Sequence, residues 1–247
     1  MRDAPILAFD VGGSFVKAGL VEVASGRVVG EVLRRATPEA AAPDTVMDLL
    51  AQLAAERAAQ GPVGLAFPSV VKGGTTWTAA NIDQRWIGTQ AQAMLESRIN
   101  RPVAVLNDAD AAGIAEMTLG AGRGRAGTVM VLTLGTGIGT ALFSDGHLLP
   151  NTELGHLEVR GAEAEHRASA KVRSDRGLSW TEWASAVNEV LAAYHRLLWP
   201  DLFIVGGGVT ENWQHFGPLL RCRAEIVPAQ FRNDAGIIGA ALAAAAR

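Results

Sequence analysis

Two periods alternate along the chain. "PILAFDV" (5–11) and "VKAGLVEV" (16–23) read as strands joined by "GGSF", and "GRVVGEVL" (26–33) as a third. "DTVMDLLAQLAAERAAQ" (44–60) has helical periodicity, with Asp44 as expected N-cap and Gly61-Pro62 as stop. "VGLAFP" (63–68) and "VAVL" (103–106) are short buried strands, separated by the helical "TQAQAMLESRI" (89–99). The pattern restarts after Gly120: "GTVMVLTLG" and "IGTALFSDGHLL" predict a strand pair. In "SWTEWASAVNEVLAAYHRLLW", positions 180, 183, 184, 187, 190, 191, 194, 197 and 198 trace one helical stripe. Ser179 and Glu182 have capping-box spacing, and Pro200 ends the run. "DLFIVGGGV" is a buried strand entering a glycine turn, and Asp234 is placed to cap a last Ala/Gly-rich helix. Strands alternating with helices predict an α/β fold.

One unit occurs twice. "LAFDVGGSFVKAGLV" (Leu7 to Val21) and "VLTLGTGIGTALF" (Val131 to Phe143) are each strand, glycine–hydroxyl turn, strand. They imply a duplicated domain with two glycine turns facing one cleft. The expected division is 1–106, completed by 234–247, and 107–233. A length of 247 residues with 49% hydrophobic positions supports cores of that size. The net charge of −3 argues against nucleic acid as partner. A single cysteine, Cys222, excludes an intrachain disulfide framework and a cysteine-based zinc cluster. No segment reaches the length of a membrane span, so the expectation is a cytoplasmic protein without a membrane partner.

Three turns are built to hold anions. Successive backbone N–H groups in a glycine turn bind phosphate without net positive charge. Candidates are Gly12, Gly13 and Ser14 with Lys17 beside them; Thr133, Gly135, Thr136 and Gly137; and Gly206, Gly207 and Gly208. Asp10, at a strand end, is the candidate Mg2+ contact, directly or through water. "GRGRAG" (122–127) matches a dinucleotide pattern but precedes a strand, and no GxxxxGK[ST] occurs. Polar groups suited to vicinal hydroxyls recur elsewhere: Thr78, Asn81 and Asp83 between two tryptophans, and Glu153, His156 and Glu158 in "LLPNTELGHLEV". At the end of "VAVL" stand Asn107, Asp108 and Asp110, where desolvating carboxylates is costly. Asp110 reads as a helix-start carboxylate beside the N-terminal dipole.

Together, "LAFDVGGSFVKAGLV", "LNDADAAGIAE", "LTLGTGIGTALF", "PNTELGHLEV" and "WPDLFIVGGGV" resemble the ROK sugar kinases. "TAANIDQRWIGT" and "NTELGHLEVRGAEAEHRA" are more similar to the polyphosphate-using glucokinases within that family. The resemblance implies an actin/hexokinase/ribonuclease-H-like fold in two domains around a cleft, in a homodimer. It implies transfer of the terminal phosphoryl group of polyphosphate, and also of ATP, to the 6-hydroxyl of glucose or mannose. Asp108 corresponds to the general base, Asn107 to its neighbouring sugar ligand, and Glu153 and His156 to the sugar-binding pair, with Glu158 as an addition; Asn81, from the polar cluster between the tryptophans, joins them as a candidate sugar contact. The Asp10 to Ser14 turn matches the first phosphate motif, Thr136 and Gly137 the second, and Gly206 to Gly208 the adenosine-side loop. Many members carry a cysteine-rich zinc motif after the histidine; "HLEVRGAEAEH" has none, so no zinc site is expected. An elongated polyanion also predicts a basic track, with Lys17, Arg85, Arg123, Arg125, Lys171 and Arg173 as candidates.

Rival expectations are an ATP-dependent glucokinase or glucomannokinase and a non-catalytic sugar sensor. Mannose differs from glucose only at the 2-hydroxyl, and no single residue decides that contact.

Overall fold

The computed structural model describes residues 4–80 and 82–247. Its chain forms two units, one of the described residues through Ala115 with Asp234–Arg247, the other Glu116–Asn233. The division falls inside a helix, nine residues beyond the expected boundary at Leu106.

In the first unit β1 (Ile6–Val11), β2 (Phe15–Glu22) and β3 (Arg27–Ala36) run as an antiparallel meander. After α1 (Pro43–Arg57), β4 (Val63–Phe67) pairs parallel to β1. Two short strands, β5 (Val71–Lys72) and β6 (Thr75–Thr76), form a hairpin. Then α2 (Ala91–Ile99) leads to β7 (Val103–Asn107), parallel to β4, and α3 (Asp108–Leu119) follows without a break. The sheet order is β3-β2-β1-β4-β7. The expected Asp44 cap is displaced: Ala42 is the N-cap and Pro43 the first helical residue, with Asp44 in the first turn. Proline suits that position because its missing N–H would have no helical acceptor there. The helix ends at Arg57, where Ala58 turns left-handed, before Gly61-Pro62 is reached.

The second unit repeats the design. β8 (Thr128–Leu134), β9 (Ile138–Ser144) and β10 (His147–Leu149) form the meander. A two-stranded hairpin, β11 (Glu158–Val159) and β12 (Ala162–Glu163), precedes α4 (Ala164–Ala168) and α5 (Ala170–Arg176). The long α6 (Trp180–Leu198) leads to β13 (Leu202–Gly206), parallel to β8; α7 (Trp213–Phe216) leads to β14 (Glu225–Pro228), parallel to β13. The order β10-β9-β8-β13-β14 is that of the first sheet with each strand replaced by its counterpart. Duplication read from two short segments therefore extends to whole sheets.

Each unit has its own core. Leu7, Phe9, Leu50, Leu65 and Trp86 are among the buried residues of the first, and Trp86 donates its indole N–H to Ala41 O at 2.7 Å. Trp77, the other tryptophan of that stretch, is exposed. In the second, α6 buries Trp183, Ala184, Val187, Val190, Leu191 and Tyr194. Leu197, expected on that stripe, is exposed. The capping box is present, with Glu182 N–H donating to Ser179 Oγ and Ser179 N–H to Glu182 Oε2 at 2.9 Å.

The final helix, α8 (Ala235–Ala245), belongs to the first unit. Asp234 is its N-cap by position but makes no side-chain cap bond. Close packing requires glycine at two places: a Cβ on Gly64 of β4 would meet the backbone of Ala240, and one on Gly239 the backbone of Ala111. Among the described residues, no helix is long and apolar enough to cross a membrane.

Candidate functional site

In the first unit, the β1–β2 hairpin places Asp10 opposite Lys17, and Lys17 Nζ donates to Asp10 Oδ2 at 3.1 Å. The intervening turn is closed by Gly12 N–H to Phe15 O at 2.9 Å and anchored by Thr37, whose hydroxyl donates to Gly12 O at 2.6 Å. Thr37 N–H also donates to Ser14 O at 3.0 Å. Gly236, in the first turn of α8, lies against the Asp10 carboxylate; a Cβ there would stand 2.8 Å from Asp10 Cγ. Asp10 thus faces the N-terminal turn of a helix, where the backbone dipole favours negative charge. One carboxylate at a strand end is a donor set that fits Mg2+, which keeps several waters and shares phosphate oxygens.

The β7–α3 junction is stiff. Asn107 is buried; its Oδ1 accepts from Ala109 N–H at 2.9 Å and Asp110 N–H at 3.0 Å, while Nδ2 donates to Ser69 O at 3.1 Å. Asn107 therefore caps α3 and ties it to the loop after β4. Asp108 is partly exposed, and its Oδ1 accepts from Ala109 N–H at 2.8 Å. Asp110 is buried in the first helical turn, in keeping with a helix-start carboxylate.

The polar residues near Trp77 have local work. Thr78 Oγ1 accepts from Val70 N–H at 2.9 Å. Asp83 caps the short turn Gln84–Trp86 and pairs with Arg85, which lowers its carboxyl pKa to about 2. Asn81 lies outside the described residues.

In the second unit, Thr133 ends β8 with Leu134, and Gly135, Thr136 and Gly137 form the turn into β9. Gly135 N–H donates to Gly137 O at 3.0 Å, and Lys171 N–H to Gly135 O at 3.1 Å. The third turn lies against the second, since a Cβ on Gly207 would meet the backbone of Leu134. Of these glycines Gly207 alone has left-handed φ, at 89°; Gly12, Gly135, Gly137, Gly206 and Gly208 do not. A Cβ on Gly137 would meet Glu165 Oε2, whereas one on Gly135 would face open space.

The loop after β10 brings Glu153 and His156 together, with Oε2 and Nε2 3.7 Å apart. Thr152 Oγ1 donates to Thr140 O at 2.9 Å, and Tyr194 of α6 donates to Leu154 O at 2.8 Å, so strand and helix both fix the loop. Burial pushes the Glu153 carboxyl above its ordinary pKa, against the opposing pull of His156. The hydrogen bond to Glu163, with the charges of Glu165, Glu163 and Glu153, raises the imidazole pKa. Glu158 is exposed and borders a cavity of about 570 Å³ whose lining includes Arg160, Asn188 and Arg196 but neither Glu153 nor His156.

Three residues escaped the sequence reading. Glu165 Oε2 accepts from Ile138 N–H at 3.3 Å beside Gly137, and its Oε1 is 3.9 Å from His156 Nδ1. Gly236 is the second, through Asp10. The third is Glu116, wholly buried, which accepts from Ala121, Gln230 and Phe231 N–H groups at 2.9, 3.0 and 2.7 Å. Glu165 had a local signal, being the fourth carboxylate in the segment that starts at Glu153.

Most of the expected basic track is already engaged: Lys17 with Asp10, Arg85 with Asp83, Arg125 with Glu225, Lys171 with Asp175. Arg173 lies over the Trp180 ring at 3.4 Å.

Comparison with known proteins agrees with this architecture. Residues 6–169 match the model of the ROK family. A polyphosphate glucokinase of Mycobacterium tuberculosis (strain H37Rv) is 44% identical over 238 residues, 96% of this chain and 90% of the relative. The crystal structure of an inorganic polyphosphate/ATP-glucomannokinase from Arthrobacter sp. strain KM superposes with a TM-score of 0.95 at 45% identity, covering 99% of both chains. A ROK family glucokinase from Streptomyces griseus, solved with glucose and AMPPNP, gives a TM-score of 0.84 at 26% identity over 98% of this chain and all of the other. Duplicated mixed sheets, glycine turns at corresponding strand ends and this coverage lead to one assignment: the chain belongs to the ROK family, with its α/β actin/hexokinase-like fold.

Proposed function

We propose that this protein transfers the terminal phosphoryl group of inorganic polyphosphate or ATP to the 6-hydroxyl of glucose. The 6-oxygen bonds to the terminal phosphorus, the bond from that phosphorus to its bridging oxygen breaks, and the hydroxyl proton passes to Asp108. Glucose 6-phosphate and a chain shorter by one phosphate, or ADP, result. Such transfer needs alignment, charge stabilisation and a proton acceptor. The observation that carries the reading is the Asp108 carboxylate, fixed at the β7–α3 junction by its own helix and by the Asn107 cap, yet partly exposed.

Asn107, Glu153 and His156 bind the sugar in this reading, with Asn81 and Glu158 as further contacts carried from the sequence and Glu165 as an added carboxylate. The turns at 12–14, 133–137 and 206–208 offer main-chain N–H groups to the donor. Mg2+ held through Asp10 would neutralise charge on the transferring phosphate. Homodimer formation and a cytoplasmic setting belong to the same proposal; exposed Leu197 and Trp199 supply apolar surface for association. Similarity to a glucomannokinase favours mannose as a second acceptor.

The test is a coupled assay for the sugar 6-phosphate with polyphosphate, with ATP and without donor, on glucose and on mannose. Donor-dependent product from glucose is expected. Sugar binding without turnover on either donor would overturn the kinase reading in favour of a sensor.

A further inference from the structure

The β11–β12 hairpin returns a carboxylate to the turn it has just left. Glu158 pairs with Glu163 and Val159 with Ala162, around Arg160 and Gly161 at φ 52° and 81°. Glu163 Oε2 lies 3.1 Å from His156 Nδ1, while Nε2, the other ring nitrogen, lies 3.7 Å from Glu153 Oε2. Glu165 Oε1 is 3.9 Å from Nδ1. His166 stands behind, 3.7 Å from Glu163 and 3.9 Å from Glu165. Of the other packed elements, β9 supplies the Thr140 hydroxyl, which accepts from Leu154 N–H at 3.2 Å, and α6 the Tyr194 phenol, which donates to Leu154 O at 2.8 Å and whose pKa burial raises. His156, Glu163 and Glu165 also bring three ligand-type atoms within 4.8 Å, but Nδ1 among them is already in hydrogen-bond contact with Glu163.

An imidazole's tautomer is set by the bond its other nitrogen makes. An ionised carboxylate only accepts, so Glu163 keeps the hydrogen on Nδ1. The neutral ring then has Nε2 as an acceptor for a hydroxyl.

We propose that Glu163 is a positioning residue for the sugar: it fixes His156 in the Nδ1–H form and aims Nε2 at a sugar hydroxyl beside Glu153. This rests on His156 as a sugar ligand. Oriented histidines in metal sites depend on the same kind of outer carboxylate; here the ring would be aimed at a hydroxyl instead.

The experiment follows the His156 ring proton by NMR against pH in wild type, Glu163→Gln and Glu163→Ala, with His156→Gln for assignment. Glucose kinetics are measured on the same proteins. Both Glu163 variants should lower the titration midpoint of His156. KM for glucose should rise roughly 10-fold in Glu163→Ala. The rise should be smaller in Glu163→Gln, because the Gln carbonyl still accepts from Nδ1–H. The inflection of glucose KM with pH should move with the NMR midpoint, while kcat and donor KM stay within about twofold. A higher KM with an unmoved midpoint would mean that Glu163 merely holds the hairpin, and overturns the proposal. So would unchanged glucose KM in Glu163→Ala. Unchanged glucose KM in His156→Gln would remove His156 from the sugar site, and the positioning role with it. The donor-dependent assay stands apart and tests phosphoryl transfer itself.

Discussion

Asp108 is held by its position as much as by its bonds. It follows the last residue of β7 directly, opens α3, and accepts from the next N–H. Asp108→Asn keeps the shape and removes the base, so turnover should fall roughly 10²- to 10⁴-fold with an unchanged melting temperature. A coupled assay beside thermal denaturation checks both. Gly236→Ala should act on the donor side, because the new methyl meets the Asp10 carboxylate; donor KM should rise with glucose KM steady. The raised pKa values at Glu153 and His156 also predict a pH dependence of stability. Both favour the protonated form in the folded state. His156 therefore contributes stability fully present below its unfolded pKa near 6.5 and lost as pH rises through its higher folded value. Glu153 carries a penalty at neutral pH that is relieved as pH falls through its raised value. Melting temperature should rise on acidification from pH 8 to 6, and His156→Gln should flatten that slope. Asn107, Asp108, Glu153 and His156 became candidates because strand ends and a short polar cluster announce them. Gly236 and Glu116 did not, since their partners lie far along the chain; Glu165 was announced only by the carboxylates around it.

Among the elements, α6 links packing to chemistry. Its stripe was visible at helical spacing, and its capping box was spelled out in Ser179 and Glu182. Ser179→Ala should cost about 1 kcal/mol, read from denaturant unfolding. The more telling change is Tyr194→Phe, which removes the hydrogen bond to Leu154 O. A buried carbonyl deprived of its donor costs about 1–3 kcal/mol, and the loosened loop should raise KM for glucose more than it lowers kcat. Periodicity missed other elements for local reasons. β14 has no wholly buried residue, pairs only with β13 and ends in Pro228, so it lacks a strong apolar signature. Leu197 falls in the last turn of α6, two residues before the left-handed Trp199.

The molecule as a whole repeats one plan, and two stretches of 15 and 13 residues were enough to reveal it because strand, turn and strand have fixed neighbours in such a sheet. Charge was harder to read. Four of the six cations expected to form a track are tied to carboxylates, a three-dimensional outcome that composition does not encode. Transfer from long polyphosphate should still weaken with added salt more than transfer from ATP, since a longer polyanion meets more screened cations; paired initial rates from low to 0.5 M salt decide it. The helix α8 fits β4 and α3 through Gly64 and Gly239. Gly239→Ala should therefore lower stability by about 1–3 kcal/mol, seen as a lower unfolding midpoint. That same helix sets an order of events during translation. Residues 116–233 leave the ribosome as one uninterrupted stretch and can assemble as soon as they emerge. The earlier-made sheet must wait, with the face that α8 covers still open, until 234–247 arrive; a nascent chain paused before that point would be the form most in need of a chaperone.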